Sequence, residues 1–230
     1  MSEFKEQIKL SPSSLNLFQE CPRCFWLEKK KGIKRPPPFP YTLNSAVDFL
    51  LKAEFDKYRQ TKEIYPLLTK NKIKARFFDN QELLKKWRNN LQGLRYFDEE
   101  LQALLFGAVD DILVDEKGLF SPLDVKATGG ANFGINERFI LQLSIYSYLL
   151  EKNGLPVSGK GYLVYFVVNK TENGFQGKLP FEEKLFEIDT NHQLVVDIFK
   201  KATNLLKQKE PPLASPDCLF CQYVNRAKIL

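Results

Sequence analysis

Two C-x-x-C pairs near opposite ends of this chain constrain its fold more than any other feature. Cys21 and Cys24 form the first pair, and Cys218 and Cys221 form the second. Such pairs favour a four-cysteine metal site in an intracellular protein, because disulfides are rare in reducing compartments. Unrelated buried cysteines are a poorer explanation, since the sequence contains four cysteines and all four are paired. The shared metal would join segments 1–40 and 209–230 and close a loop of nearly the whole chain.

The composition predicts a folded, cytoplasmic protein. A length of 230 residues with 43% apolar content suits one domain, 1–230, with a full hydrophobic core. Apolar runs are too short to cross a bilayer, and residues 1–5 lack the hydrophobic stretch of a signal peptide. We therefore expect no contact with a membrane. The net charge of +6 favours a polyanionic partner, although many basic proteins bind no nucleic acid.

The sequence contains a single histidine, His192, which excludes several chemistries. Serine–histidine hydrolysis, histidine-rich zinc catalysis and histidine-based nucleases all need imidazoles that this chain lacks. We interpret His192 as a surface or capping residue. Catalysis must therefore use carboxylates, lysine, tyrosine or cysteine.

Local sequence signals predict alternating helices and strands. Ser11 and Pro12 favour a helix start, and Gly32 favours the end of that segment. A proline-rich connector follows at 36–40. Asn136 is predicted to cap a helix. The predicted helices are 43–59 (with Val47, Leu50, Leu51 and Phe55 on one face), 81–91, 136–152 and 190–208; the predicted strands are 72–78, 101–114, 119–126 and 162–168, followed by a hairpin at 175–188.

Acidic residues interrupt two of these apolar strands. Asp124 and Lys126 are two residues apart, so their side chains share one face of a strand. Asp110 lies near the end of the preceding strand, where pairing would bring it beside Asp124, while Asp111 should face the other way. An Asp-x-Lys motif alone favours a surface ion pair, but acids inside apolar strands are costly without a partner. Mg²⁺ or Mn²⁺ would be bound by Asp110, Asp124 and the Val125 carbonyl.

A third motif completes the pattern: Gln142 and Tyr146 are four residues apart and share one helix face. The ordered set of Asp110, Asp124-x-Lys126 and Gln142/Tyr146 resembles the PD-(D/E)XK nuclease superfamily, specifically its RecB-like branch. The resemblance implies a restriction-endonuclease-like α/β fold, with an αβββαβ core and a mixed central sheet flanked by helices.

The resemblance also implies a metal-dependent deoxyribonuclease, an exonuclease or a single-strand-directed enzyme. Lys126 would orient the attacking water or neutralise charge on the phosphate. Gln142 and Tyr146 would border the site and help to hold the lysine and the DNA. Thr128 and Gly129 follow the lysine much as in the family and would line the site.

One position departs from the family. RecB-like nucleases usually carry a metal-binding histidine on the helix before the central strands, where this chain has Asp48. Asp48 either supplies a third carboxylate to the metal or caps and solvates its helix. The departure also supports an alternative function, in which catalysis has decayed and the fold binds nucleic acid or a partner protein.

The spacing of the cysteines leaves both Zn²⁺ and a 4Fe–4S cluster possible. The resemblance favours the cluster, because AddB and CRISPR adaptation nucleases join their termini with one. Those proteins take one cysteine from the N-terminal region and three from the C-terminal region. This chain divides its cysteines two and two, with Ala227 where a third C-terminal cysteine is expected, so zinc remains the alternative.

DNA is the expected partner, together with a helicase or another DNA repair or CRISPR protein. The chain has no glycine-rich phosphate loop of a helicase, so unwinding would come from that partner. Basic runs at 29–35, 70–76, 85–88 and 200–209 are individually typical of solvated faces. With Trp26, Trp87, Tyr96 and Phe133 they predict a positive channel that stacks single-stranded DNA, beside a gate at 129–134.

Overall fold

The computed structural model describes residues 7–37, 42–170 and 174–227. Part of the predicted connector, residues 38–40, lies outside this range, as do residues 1–5. The strands are β1 (Ile8–Leu10), β2 (Ala75–Phe77), β3 (Leu94–Asp98), β4 (Ala103–Gly107), β5 (Asp111–Asp115), β6 (Phe120–Thr128), β7 (Lys160–Val168) and β8 (Phe181–Asp189). The helices are α1 (Pro12–Glu20), α2 (Pro22–Lys31), α3 (Thr42–Thr61), α4 (Pro66–Lys70), α5 (Gln81–Trp87), α6 (Glu137–Lys152), α7 (His192–Lys207) and α8 (Leu219–Ala227).

The larger sheet has the strand order β2-β5-β6-β7-β8. β6 and β7 are parallel, whereas the other neighbouring pairs are antiparallel. Helix α6 makes the crossover that two parallel strands require. The predicted α/β fold, with a mixed sheet and flanking helices, is therefore confirmed.

The smaller sheet, of order β1-β4-β3, corrects one prediction. The expected single strand at 101–114 is two strands, β4 and β5, which belong to different sheets. The chain leaves the smaller sheet at Gly107, where a β-carbon would lie 2.8 Å from Cε1 of Tyr146. Asp110 consequently lies at the start of the next strand rather than near the end of a continuous one.

Helices α3 and α6 cover opposite faces of the larger sheet. Leu143, Ile145 and Leu149 of α6 are fully buried in one hydrophobic cluster, and α6 also contacts the smaller sheet. Leu51 and Phe55 of α3 are buried in the second cluster, on the other face. The two clusters take alternate residues of β7, as expected for a sheet buried on both faces.

The predicted apolar face of α3 is wrong in one residue. Leu50 is 65% exposed, because the helix turns Leu51 and Phe55 toward the sheet and Leu50 away from it. Val47 is only partly buried against the second cluster. Elsewhere the predicted strand 72–78 and helix 81–91 are present but shorter, as β2 and α5.

Helix ends follow the sequence signals at most positions. Ser11 accepts a hydrogen bond from the Ser14 amide, and Asn136 accepts from two amides at the start of α6. Gly32 ends α2 with φ of 67°. The N-terminal segment is nevertheless two helices, because Cys21 is extended and Pro22 begins the second.

Two C-terminal predictions need correction. The predicted hairpin at 175–188 is the single strand β8, which pairs with β7. Of the two interpretations of His192, the capping role is wrong, because Asn191 caps α7 by accepting a hydrogen bond from the Leu194 amide, while the His192 side chain is partly exposed. Within the described residues, every helix is too short or too polar to span a bilayer.

Candidate active site

The structure brings the two predicted acids and the lysine together where β5 begins beside β6. Oδ2 of Asp110 accepts a hydrogen bond of 3.0 Å from the Val125 amide. Asp124 lies on the face of β6 that α6 covers and is 2% exposed. Lys126 is on the same face, and its ammonium forms an ion pair with Oδ2 of Asp124. Residues from two neighbouring strands therefore form one acidic pocket with one lysine.

Helix α6 closes this pocket from the side. Nε2 of Gln142 donates hydrogen bonds to Oδ1 of Asp124 (2.8 Å) and to the Tyr146 hydroxyl (3.0 Å). The Lys126 ammonium lies 5.4 Å from the centre of the Phe139 ring, within cation–π range. The i, i+4 spacing of Gln142 and Tyr146 thus places both beside the buried acid, and Phe139, which the sequence reasoning missed, covers the lysine.

Burial dominates the electrostatics of Asp124. It raises the pKa of this carboxyl to about 7; the Lys126 ammonium opposes the rise and the Asp110 carboxylate adds to it. Oδ2 of Asp124 is buried and is paired with the Lys126 ammonium, which also donates to the Val125 carbonyl at 3.4 Å. A buried carboxylate oxygen that faces a cation fits a cation site, as does an all-oxygen donor set.

The helix α3 contributes a residue that sequence reasoning missed. Nζ of Lys52 lies 2.7 Å from Oδ2 of Asp48 and 3.1 Å from Oδ1 of Asp110. Burial alone would lower the pKa of Lys52, but Asp110 and Asp48 outweigh it and raise that pKa. The Lys52 ammonium therefore bridges the carboxylates of Asp48 and Asp110. The i, i+4 spacing of Asp48 and Lys52 is the signal that identifies this pair.

Asp111 faces away from the pocket, into a buried ionic network. Its two oxygens lie 2.6 Å from the guanidinium groups of Arg59 and Arg88. Nε of Arg88 donates to the Asp110 carbonyl at 2.8 Å, and both arginines also contact Asp56. Burial raises the pKa of the Asp111 carboxyl, and the two arginines act against that rise. The network fixes the backbone from which Asp110 projects.

A cleft of about 420 Å³ opens beside Asp110 and Lys126. The Asn44 side chain donates to the Ala127 carbonyl at 2.8 Å and holds the start of α3 beside β6. Thr128 and Gly129 do not line this cleft; the Thr128 hydroxyl accepts a hydrogen bond from the Gly130 amide. The lining residues are Asn44, Ser45, Asp48, Lys52, Arg88, Asn90, Ala108, Val109, Asp110, Val125, Lys126 and Ala127.

The predicted stacking platforms are wrong for both tryptophans. Trp26 is 1% exposed and Trp87 is 7% exposed, and Trp87 stacks on Phe78. Tyr96 packs edge-on against Tyr148, while Phe133 is 36% exposed. Both tryptophan rings are therefore packed in the core, and Phe133 alone of the four predicted rings is exposed.

The four predicted cysteines come together at the starts of α2 and α8. Their sulfur atoms all lie within 4.8 Å of one another. Cys21, Cys24 and Cys218 are buried, and Cys221 is partly buried. Nη2 of Arg35 donates to Sγ of Cys218 at 3.3 Å. The cluster is thus placed to hold a metal.

Comparison with protein-family models identifies the family of this chain. The family model for the PD-(D/E)XK nuclease superfamily matches residues 9–226. This chain belongs to the PD-(D/E)XK nuclease superfamily, a family of divalent-metal nucleases, so its substrate class is nucleic acid.

Two solved structures are similar in fold. The crystal structure of SSO0001 has a TM-score of 0.45 and 14% identity, covering 92% of this chain and 82% of that chain. The alkaline exonuclease LHK-Exo from Laribacter hongkongensis has a TM-score of 0.42 and 9% identity, covering 96% and 95% respectively. The search of curated proteins found no match.

Proposed function

We propose that this protein is a RecB-like, metal-dependent deoxyribonuclease that hydrolyses phosphodiester bonds in the cleft between α3 and β6. It acts as an exonuclease or on single strands. The observation that carries the proposal is the convergence of Asp110, Asp124 and Lys126, in which the buried Asp124 carboxylate is paired with an ammonium beside a second acid. Two acids so close to each other are costly in a structural role and useful in a cation site.

Asp110 and Asp124 would hold Mg²⁺ or Mn²⁺, with the Val125 carbonyl and Asp48 as further ligands. When bound, such an ion lowers the pKa of a water molecule and stabilises charge on the phosphate. The chain itself orients the ligands. Gln142 fixes Oδ1 of Asp124, and the Val125 amide fixes Oδ2 of Asp110. The other oxygen of each acid faces a lysine ammonium, Lys126 or Lys52, whose place a metal ion would take.

Lys126 acts on the reacting groups rather than on the fold. Its ammonium is partly exposed, lines the cleft and is directed by Asp124 and Phe139. In this position it orients the attacking water or neutralises the charge that develops on the phosphate, and Tyr146 supports it indirectly, through Gln142 and Asp124.

Three cations line the cleft and suit a polyanionic substrate: Lys52, Arg88 and Lys126. The net charge of +6 adds attraction over a longer range. We further propose that 1–230 works as one nuclease domain in the cytoplasm, beside a helicase or another repair or CRISPR protein. Co-purification from the native cell tests that partner.

A catalytically decayed binding module is the second candidate. The observation that favours it is Lys52, whose ammonium bridges Asp48 and Asp110 where the family has a metal-binding histidine. A resident cation at this point opposes the binding of a metal ion. In that case the cleft would bind nucleic acid or a partner protein without cutting.

Cleavage of single-stranded DNA in Mn²⁺ separates the two functions. We expect Lys126→Ala to lose activity by about 10²–10³-fold, as when one charge-stabilising donor is removed. Lys117→Ala, in the exposed β5–β6 turn, is the matched control and should cleave like the wild type. Equal cleavage by wild type and Lys126→Ala would remove the mechanism. DNA binding without cleavage by the wild type would favour the binding module.

A further inference from the structure

The spacing of the four cysteine sulfurs discriminates between a single metal ion and a cluster. Sγ of Cys24 lies 3.6 Å from Sγ of both Cys218 and Cys221, and Sγ of Cys21 lies 3.9 Å from Sγ of Cys221. The remaining pairs also fall within 4.8 Å. A single metal ion and a 4Fe–4S cluster require different distances between the sulfur atoms of their cysteine ligands.

A single tetrahedral ion fits them. A zinc–sulfur bond of about 2.3 Å at the tetrahedral angle separates any two sulfurs by about 3.8 Å. Two of the three short separations are 3.6 Å and the third is 3.9 Å. The thiolates therefore already lie at the edge length of a one-ion site.

A 4Fe–4S cluster does not fit. In such a cluster each cysteine thiolate binds a different iron atom, on the outer side of the cluster. The distance between two cysteine sulfurs is therefore the distance expected around a single ion plus one full iron–iron distance. All the sulfur separations in this site lie within 4.8 Å, so they exceed the one-ion value by at most about 1 Å. Two metal atoms cannot lie that close. We infer that the four cysteines bind one tetrahedral metal ion, for which this donor set favours Zn²⁺, rather than the cluster that the resemblance implies.

The surroundings stabilise the negative charge of such a site. Cys21 caps α2, and Cys218 directly precedes α8, so each pair lies at a helix N-terminus that favours thiolates. Four thiolates around one divalent ion carry a net charge of −2, and the partly buried guanidinium of Arg35 lies 3.3 Å from one of them. Each helix start thus supplies two of the four thiolates, and together they complete a four-coordinate structural site.

Metal analysis of the full-length protein, purified anaerobically, tests this inference. We expect roughly one zinc ion per chain, no acid-labile sulfide and no brown colour. Zinc X-ray absorption should show four sulfur neighbours at about 2.3 Å. Iron together with acid-labile sulfide in equal amounts would overturn the inference.

Two variants assign the ion to the cysteines. Asp110→Asn removes a cleft ligand, and His192→Gln removes the sole imidazole; both should retain the zinc. Loss of zinc from either folded variant would contradict a four-thiolate site.

Because cysteine variants are prone to misfolding, the second measurement uses the unchanged protein, with cobalt substituted for zinc. Growth in Co²⁺ should give the visible absorption of a tetrahedral cobalt–thiolate centre in the otherwise unchanged protein. A cobalt spectrum without tetrahedral thiolate bands, or failure to bind either ion stoichiometrically, would also overturn the inference. None of these readouts depends on DNA cleavage, so they can fail independently of the proposed nuclease activity.

Discussion

The buried ionic network beneath the site predicts a large effect for one isosteric change. Asp111 has no exposed surface, and the side chain of Arg59 is 1% exposed. Asp111→Asn keeps the shape of the side chain but removes its negative charge. The arginines then face an amide, and Asp56, which lies at the edge of the network, is their remaining acidic partner.

The expected cost follows from the burial. Breaking a buried ion pair by removing one partner costs about 3–5 kcal/mol, because the other charge remains desolvated. For a chain of this length each kcal/mol shifts the midpoint by about 2–4 °C, so the thermal midpoint should fall by roughly 6–20 °C. Mn²⁺ binding should weaken as well, since Arg88 also fixes the Asp110 carbonyl.

Urea unfolding and thermal melts of both proteins measure this cost. Asp189→Asn is the matched control, because Asp189 forms an exposed ion pair with Lys160. Exposed pairs contribute about 0–1 kcal/mol, so the control should change little. If Asp111→Asn loses less than about 1 kcal/mol, similar to the control, the network does not carry a buried charge and the reasoning fails.

Other predictions concern single side chains at the two sites. Lys52→Met should tighten Mn²⁺ binding in calorimetry by roughly tenfold, or about 1.4 kcal/mol, by removing a competing cation; Lys57→Met on the same helix should not, and weaker binding would contradict this competition. Gln142→Leu should weaken Mn²⁺ binding about 10–100-fold by freeing the Asp124 carboxylate, and unchanged affinity would exclude that role. Arg35→Met should speed release of the cysteine-bound metal to a chelator, and an unchanged rate would show that its charge is not needed.

Local periodicity is sufficient to predict much of the candidate active site. The two-residue repeat of β6 places Asp124 and Lys126 on one face, and the four-residue repeat of α6 places Gln142 and Tyr146 on another. These repeats are properties of single elements and can be read from neighbouring residues. The side chains meet because the β6–α6–β7 crossover packs α6 on that face of the sheet.

Features that depend on distant residues were not predictable in the same way. The apolar run 101–114 has the pattern of one strand, and it divides because Gly107 packs against Tyr146, which is remote in sequence. Trp87 was expected in a channel, yet a large ring gains more from burial against Phe78 than from exposure. Nothing in the local sequence distinguishes the contact of Lys52 with Asp110, because only the fold brings the two residues together.

A chain of ion pairs connects the cysteine site to α6, the helix that borders the candidate active site. Arg35, which contacts Sγ of Cys218, also pairs with Glu20 at the end of α1, and Glu20 pairs with Arg138 in the first turn of α6 at 2.7 Å. Gln142 lies one turn further along and holds Asp124. A metal ion bound by the four cysteines would therefore stabilise the first turn of the same helix that orients the buried acid. Through this connection such an ion would affect the proposed reaction without direct contact with the candidate active site.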